Sequence, residues 1–112
     1  MKYSVNAVVV TCNRCELLKQ AIDALLNQTY PLNKIVIINN ASTDGTKEYL
    51  DNVIDDRLIV IHKETNEGGA GGFYYGTKEA YREGCDFVWI MDDDTICSPD
   101  SLEKMMDSNS IT

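Results

Sequence analysis

Phe87-Val88-Trp89-Ile90-Met91-Asp92-Asp93-Asp94 is the stretch that decides how this chain folds. An unbroken apolar run closed by three carboxylates predicts a strand covered on both faces, with its carboxyl end in solvent. Alternate residues of an extended strand point the same way, so Asp92 and Asp94 are expected on one face and Asp93 on the other. Charges two residues apart on one face lie about 6–7 Å from each other. At an effective dielectric near 20 they repel by about 2–3 kcal/mol. A cation between them removes that cost, and an oxygen-only donor set suits Mg²⁺ or Mn²⁺. The plainer alternative is a solvated acidic turn that caps the next helix.

Working outward, three similar runs occupy residues 4–10, 34–38 and 58–61. All are short and mostly continuous, as in strands buried on both faces of a parallel sheet. Helical patterns separate them. Residues 16–28 place Leu17, Leu18, Ala21, Ile22, Leu25 and Leu26 at helical spacing. Residues 46–53 form a shorter helix after Asp44-Gly45, and residues 70–83 a third, glycine-rich at its start and ended by Gly84. Ser98 and Pro99 suit the cap and first position of a fourth helix over 99–106. Tyr30-Pro31 and Asp55-Asp56 mark turns. Strands alternating with helices define an α/β chain, a Rossmann-like parallel sheet with flanking helices and right-handed crossovers. The length of 112 residues is enough for one small domain.

In such sheets ligands bind beyond the carboxyl ends of the strands, and the polar clusters obey that rule. Thr11-Cys12-Asn13-Arg14 follows the first strand and Asn39-Asn40-Ala41-Ser42-Thr43-Asp44-Gly45-Thr46 the second. Asn66-Glu67-Gly68-Gly69-Ala70-Gly71-Gly72 follows the third, and the aspartates follow the fourth. Caps and turns favour the same residue types, but four clusters converge on one edge. The glycine run lets backbone approach a ligand closely, with amides free to donate at a helix start; the alternative is close helix–sheet packing. It is not a Walker loop, because no Gly-Lys-Ser/Thr follows, and Tyr74 stands where a dinucleotide fingerprint needs its third glycine. Asn39 and Asp44 can accept from a base or ribose, or form an Asx turn that caps the next helix. Arg14 can balance phosphate charge or simply sit on the surface.

Composition narrows the partners. A net charge of -8 argues against nucleic acid or an anionic membrane, and leaves phosphate to be held by metal, amides or a few placed cations. Met1-Lys2-Tyr3 leads straight into a strand-like run with no signal peptide, and no apolar run approaches bilayer length, so a cytoplasmic location is expected. Cys12 and Cys15 make a C-x-x-C, which admits a redox pair. Cys85 and Cys97 lack that spacing, and four reduced, mostly packed thiols are the simpler expectation. His62, the single histidine, is expected to end a strand and do no chemistry.

Taken together, these motifs resemble the nucleotide-binding half of a family 2 glycosyltransferase with the GT-A fold. The residues that carry the resemblance are Thr11-Cys12-Asn13-Arg14, Asn39 to Thr46, Asn66-Glu67-Gly68-Gly69 and Asp92-Asp93-Asp94 as the Asp-x-Asp. Gly68 to Phe73 with Trp89 to Asp94 is similar to the galactofuranosyl- and rhamnosyltransferase branch. The resemblance implies a UDP- or dTDP-sugar donor, a glycan or lipid-linked acceptor, and polysaccharide or cell-wall synthesis. It implies that Thr11, Asn13, Arg14, Asn40, Asp44, Asn66, Gly68 and Gly69 line the nucleotide site. Asn39 then stands where an acidic residue reads uracil, its oxygen still accepting but without charge assistance. Asp92 and Asp94 hold Mg²⁺ or Mn²⁺ against the diphosphate, or Asp92 and Asp93 contact ribose and sugar. The family's catalytic base, usually Asp or Glu, is implied beyond Thr112. The chain therefore reads as a truncated GT-A fold, a fragment of a longer enzyme peripheral to the inner membrane face, with an open sheet edge that favours a homo-oligomer. The alternatives are a non-catalytic nucleotide-sugar sensor and a nucleotidyltransferase; the latter is disfavoured by Thr11-Cys12-Asn13-Arg14 where a basic glycine loop is usual.

Overall fold

The computed structural model describes residues 3–107. Strands β1 (Val5–Thr11), β2 (Lys34–Asn40), β3 (Leu58–Lys63) and β4 (Phe87–Asp92) alternate with helices α1 (Cys15–Leu26), α2 (Thr46–Asn52), α3 (Gly68–Arg82) and α4 (Ser101–Met106). All neighbouring strands run parallel in the order β3-β2-β1-β4. The Rossmann-like expectation is met.

Strand alternation sorts the core into two layers. Val5, Ala7, Val9, Ile35 and Ile37 face Leu18, Ile22 and Leu25 of α1, with Leu50 of α2 and Leu102 of α4 in the same cluster. Val8, Val36 and Ile38 face α3 through Ala80. The α3 layer is thin because glycine forms its contact. A Cβ on Gly76 would lie 2.3 Å from Val8 Cγ1, and one on Gly72 would lie 2.6 Å from Val10 Cγ1. Close packing thus accounts for Gly72 and Gly76 of the glycine-rich segment, while Gly69 has open space around it. Asn6 interrupts the apolar run of β1 yet is fully buried. Its amide donates to Ala80 O at 2.8 Å, and its oxygen accepts from Lys34 N at 3.0 Å and Asn33 Nδ2 at 3.1 Å. The desolvation cost of a buried amide is offset by those bonds.

Element ends differ from the expectations in a consistent way. Each strand runs one or two residues past its apolar run, because the parallel ladder continues after that run stops, pairing Thr11 with Asn39, Asn39 with His62, and Val10 with Asp92. Helix α1 stops at Leu26, and Asn27 and Gln28 turn their amides back onto Asp23 O and Ala24 O. Helix α4 starts at Ser101 and not at Pro99. The carbonyls of Ser98 and Pro99 are taken by Gln28 Nε2 and Thr29 N, both at 2.8 Å, so this segment is stitched to the α1–β2 loop. Ser98 Oγ pairs with Ser101 Oγ rather than capping the helix. Among the described residues no helix is long and apolar enough to cross a membrane.

Candidate functional site

The four polar clusters meet at the carboxyl edge of the sheet, as parallel order requires. A cleft of about 440 Å³ opens there. Thr11, Arg14, Asn40, Asn66, Gly68 and Gly69 line it together with Asp92, Asp93 and Asp94. An adjoining cleft of about 590 Å³ is lined by Asn13, Arg14 and Asp44 with Glu16, Lys19 and Gly45. Arg14 stands between the two.

The aspartates do not continue as an extended strand. β4 ends at Asp92, and Thr95 N–H donates to Asp92 O at 3.1 Å to close a turn. Asp92 shares the α3 side of the sheet with Val88 and keeps an exposed carboxylate. That carboxylate has no hydrogen bond or ion pair among the described residues. Asp93 turns to the opposite side and is buried, accepting from Thr11 Oγ1 at 2.8 Å and Arg14 Nη1 at 3.4 Å. Asp94 lies in the turn, where its carboxylate meets the same Arg14 nitrogen at 3.7 Å. The separation of Asp92 from Asp93 agrees with strand alternation, whereas Asp94 is placed by the turn and by Arg14.

Asn13 and Asp44 serve first as loop ties. Asn13 adopts φ 54°, a left-handed conformation that Asn tolerates. Its oxygen accepts from Thr43 N at 2.6 Å and Asp44 N at 3.2 Å, and its own N–H donates to Ser42 Oγ at 2.9 Å. Asp44 accepts from Cys15 N at 3.3 Å, at the start of α1, and from Thr46 N at 3.0 Å, at the start of α2. The Thr46 hydroxyl, followed by these backbone donors, holds the Asp44 carboxyl below its ordinary range. Asn66 builds an Asx turn, its oxygen accepting from Gly68 N at 2.8 Å, while its amide approaches Cys12 Sγ at 3.5 Å. That turn delivers Gly68 at φ 74° to the first position of α3, where a side chain would be strained. Asn40 is buried against this start, its amide donating to Gly68 O at 3.1 Å.

Asn39 lines neither cleft. It is buried between Thr11 and His62 in the ladder. Its oxygen accepts from Ser42 N at 3.3 Å, the Asx-type contact that its neighbours suggest. Its amide nitrogen lies 3.1 Å from His62 Nδ1, and His62 Nε2 lies 2.9 Å from Asp51 Oδ1. Lys47, then His62, keep the Asp51 carboxyl below its ordinary range. Sequence reasoning assigned His62 no part in the site; pairing β3 with β2 in parallel register would have set it beside Asn39. Cys12 was also missed as a cleft residue. All four thiols are free, with Cys12 on the cleft and Cys15 opening α1.

The donor set suits a hard divalent cation. Asp92 and Asp94 offer carboxylate oxygens at one cleft, and Mg²⁺ typically needs only one or two protein carboxylates when phosphate completes its shell. Among the described residues no group of three or more His, Cys, Asp or Glu is placed to hold a metal ion by itself, so phosphate or water would have to complete the shell.

A parallel βαβ sheet with glycine, Asn and Asp clusters at its carboxyl edge puts the chain among the α/β proteins whose ligands bind beyond the strand ends. Within that class, residues 6–108 match the family model described as Glycosyl transferase family 2, and the chain belongs to that family. Galactofuranosyltransferase GlfT1 of Mycobacterium tuberculosis is 38% identical over 95 residues, covering 84% of this chain and 31% of that protein. Glucosyl-dolichyl phosphate glucuronosyltransferase of Haloferax volcanii is 32% identical over 113 residues, covering 96% and 34%. Among solved structures, S. aureus TarS 1-349 in complex with UDP-GlcNAc superposes with a TM-score of 0.79 at 24% identity, covering 90% of this chain and 29% of that one. Mannosyltransferase PcManGT from Pyrobaculum calidifontis, in complex with GDP-Man and Mn²⁺, gives 0.78 at 23%, covering 97% and 34%. These likenesses show the GT-A fold. The chain spans about a third of the length of the curated relatives it matches.

Proposed function

We propose that this chain is the donor-binding half of a metal-dependent, inverting glycosyltransferase that uses a UDP- or dTDP-sugar in polysaccharide or cell-wall glycan synthesis. The carrying observation is the cleft that gathers Asp92, Asp93, Asp94, Thr11, Arg14, Gly68 and Gly69 at one sheet edge. A chain of net charge -8 needs local devices to accept a diphosphate. Arg14 supplies fixed positive charge, and the backbone N–H groups at the start of α3 point toward an anion. Asp92 and Asp94 hold Mg²⁺ or Mn²⁺, whose chemistry when bound is to neutralise charge on the leaving diphosphate. Asp93, held by Thr11 and Arg14, keeps the cleft wall in place. Displacement at the anomeric carbon then proceeds with inversion, an acceptor hydroxyl losing its proton to a general base; no residue of this chain is assigned that role. Kinship with galactofuranosyltransferases supports UDP-galactofuranose as the first donor to try.

Isothermal titration calorimetry of UDP and dTDP, with Mn²⁺ and with chelator, tests the reading. Metal-dependent binding is the expected result. Asp92→Asn and Asp94→Asn should each weaken it at least tenfold while circular dichroism is unchanged. Affinity equal to the parent in both variants would refute the metal assignment. The purified chain is expected to bind donor without transferring sugar to any acceptor.

A further inference from the structure

We infer that Arg14 couples the metal to the diphosphate, because it is the cation that occupies Asp94 until both ligands arrive. The inference rests on the reading above that Asp92 and Asp94 hold the metal. One nitrogen, Arg14 Nη1, lies between two carboxylates, 3.4 Å from Asp93 Oδ1 and 3.7 Å from Asp94 Oδ2. Its Nε and Nη2 hold no bond among the described residues, and the side chain is half exposed. A guanidinium carries five N–H donors in a planar fork, so those free nitrogens can meet an anion while Nη1 stays on Asp93.

The two carboxylates do not hold Arg14 equally. The Asp93 side chain is only 7% exposed and is also bonded by Thr11 Oγ1 at 2.8 Å, so losing its cation would leave a buried charge short of a partner. The Asp94 side chain is 53% exposed and sits in the turn after β4, where water replaces the guanidinium at little cost. Arg14 therefore keeps Asp93 and gives up Asp94. Around it the cleft sets three carboxylates against this one guanidinium. A diphosphate approaching alone meets net negative charge. A divalent cation approaching alone finds Arg14 at one of its two carboxylates. When both arrive, Asp94 turns to the metal and the guanidinium to the phosphate, so each ligand removes the obstacle to the other. Linkage makes that help mutual. Arg14 thus does two opposed things: it weakens binding of the metal alone and strengthens binding of the diphosphate.

Binding of Mn²⁺ without nucleotide, read by electron paramagnetic resonance, and of UDP at saturating Mn²⁺, read by calorimetry, separates these effects. Arg14→Gln should raise the affinity for Mn²⁺ alone at least about threefold and lower that for UDP at least about tenfold. A residue that only holds the loop would weaken both, and one that only holds phosphate would leave Mn²⁺ alone unchanged; either result overturns the inference. Lys47→Gln removes the same charge from a pair with Asp51 on α2 and should stay within about twofold of the parent in both readings. A matching rise in that variant would assign the effect to net charge and overturn the role of Arg14. Asp94→Asn decides the underlying reading. Mn²⁺ affinity equal to the parent's would refute the metal assignment and the inference with it, whereas a loss there beside an unmoved Arg14→Gln would refute the inference alone. If Arg14→Gln does not fold, the parent still answers: adding Mg²⁺ without nucleotide should move the side-chain ¹⁵N resonances of Arg14, and resonances unmoved at saturating Mg²⁺ would refute the inference.

Discussion

Asn13 and Asp44 illustrate how residues nominated for a ligand can have a structural duty first. Asn13 takes a left-handed conformation and receives the N–H groups of Thr43 and Asp44, so Asn13→Ala loses both tolerances together. Left-handed Ala costs about 1 kcal/mol, and each orphaned donor about 1 kcal/mol or more. A loss of about 2–3 kcal/mol in urea unfolding is expected. Asp44 predicts a pH effect. Its folded carboxyl lies below the ordinary value of 3.8, so its contribution is fully present above that value and disappears as pH falls through the folded one. Asp44→Asn should lessen the loss of stability in that acid window, as read by thermal melts across pH. Residue types at the edge were legible because only a few side chains bind phosphate, cap helices or ligate hard metals. Their division between those duties was not legible, since Asn and Asp suit all of them. The burial of Asp93 against Thr11 and the partnership of Asn39 with His62 arise from tertiary register, which no short motif encodes.

At the level of elements, the strands were plain in the sequence because each is continuously apolar, β1 and β2 being buried on both faces and the edge strands β3 and β4 only in part. Asn6 escaped that logic: a polar residue in the first run reads as a flaw, yet it ties the start of β2 to the last turns of α3. Element ends were less legible, because ladder bonds and stitched carbonyls, not side-chain polarity, decide where β1 and α4 begin or stop. The glycines of α3 carried two meanings that composition could not separate. Gly76→Ala must displace Val8 from a 2.3 Å approach, and a loss of at least about 2 kcal/mol is expected from overpacking. Gly69→Ala meets no neighbour within 4 Å and should leave unfolding free energy within about 0.5 kcal/mol of the parent. If the two substitutions proved equally harmful, the packing account of α3 would fail.

For the molecule as a whole, β4 lies at one edge of the sheet among the described residues, and Ile90 on it is half exposed. An open edge with an apolar side chain invites a second chain, while a net charge of -8 opposes it. Screening at physiological salt shortens that repulsion to about 8 Å, so self-association should grow with both salt and concentration in light scattering. Ile90→Lys should return the chain to a monomer; a parent that stays monomeric at high salt and high concentration would contradict this. One further property follows from α4. Met105 and Met106 lie in a groove with Val5 and Phe87, at the pole of the sheet where β1 and β4 begin, so the outgoing chain has come back to where it entered. The described portion is therefore a closed excursion, out to the cleft and home again.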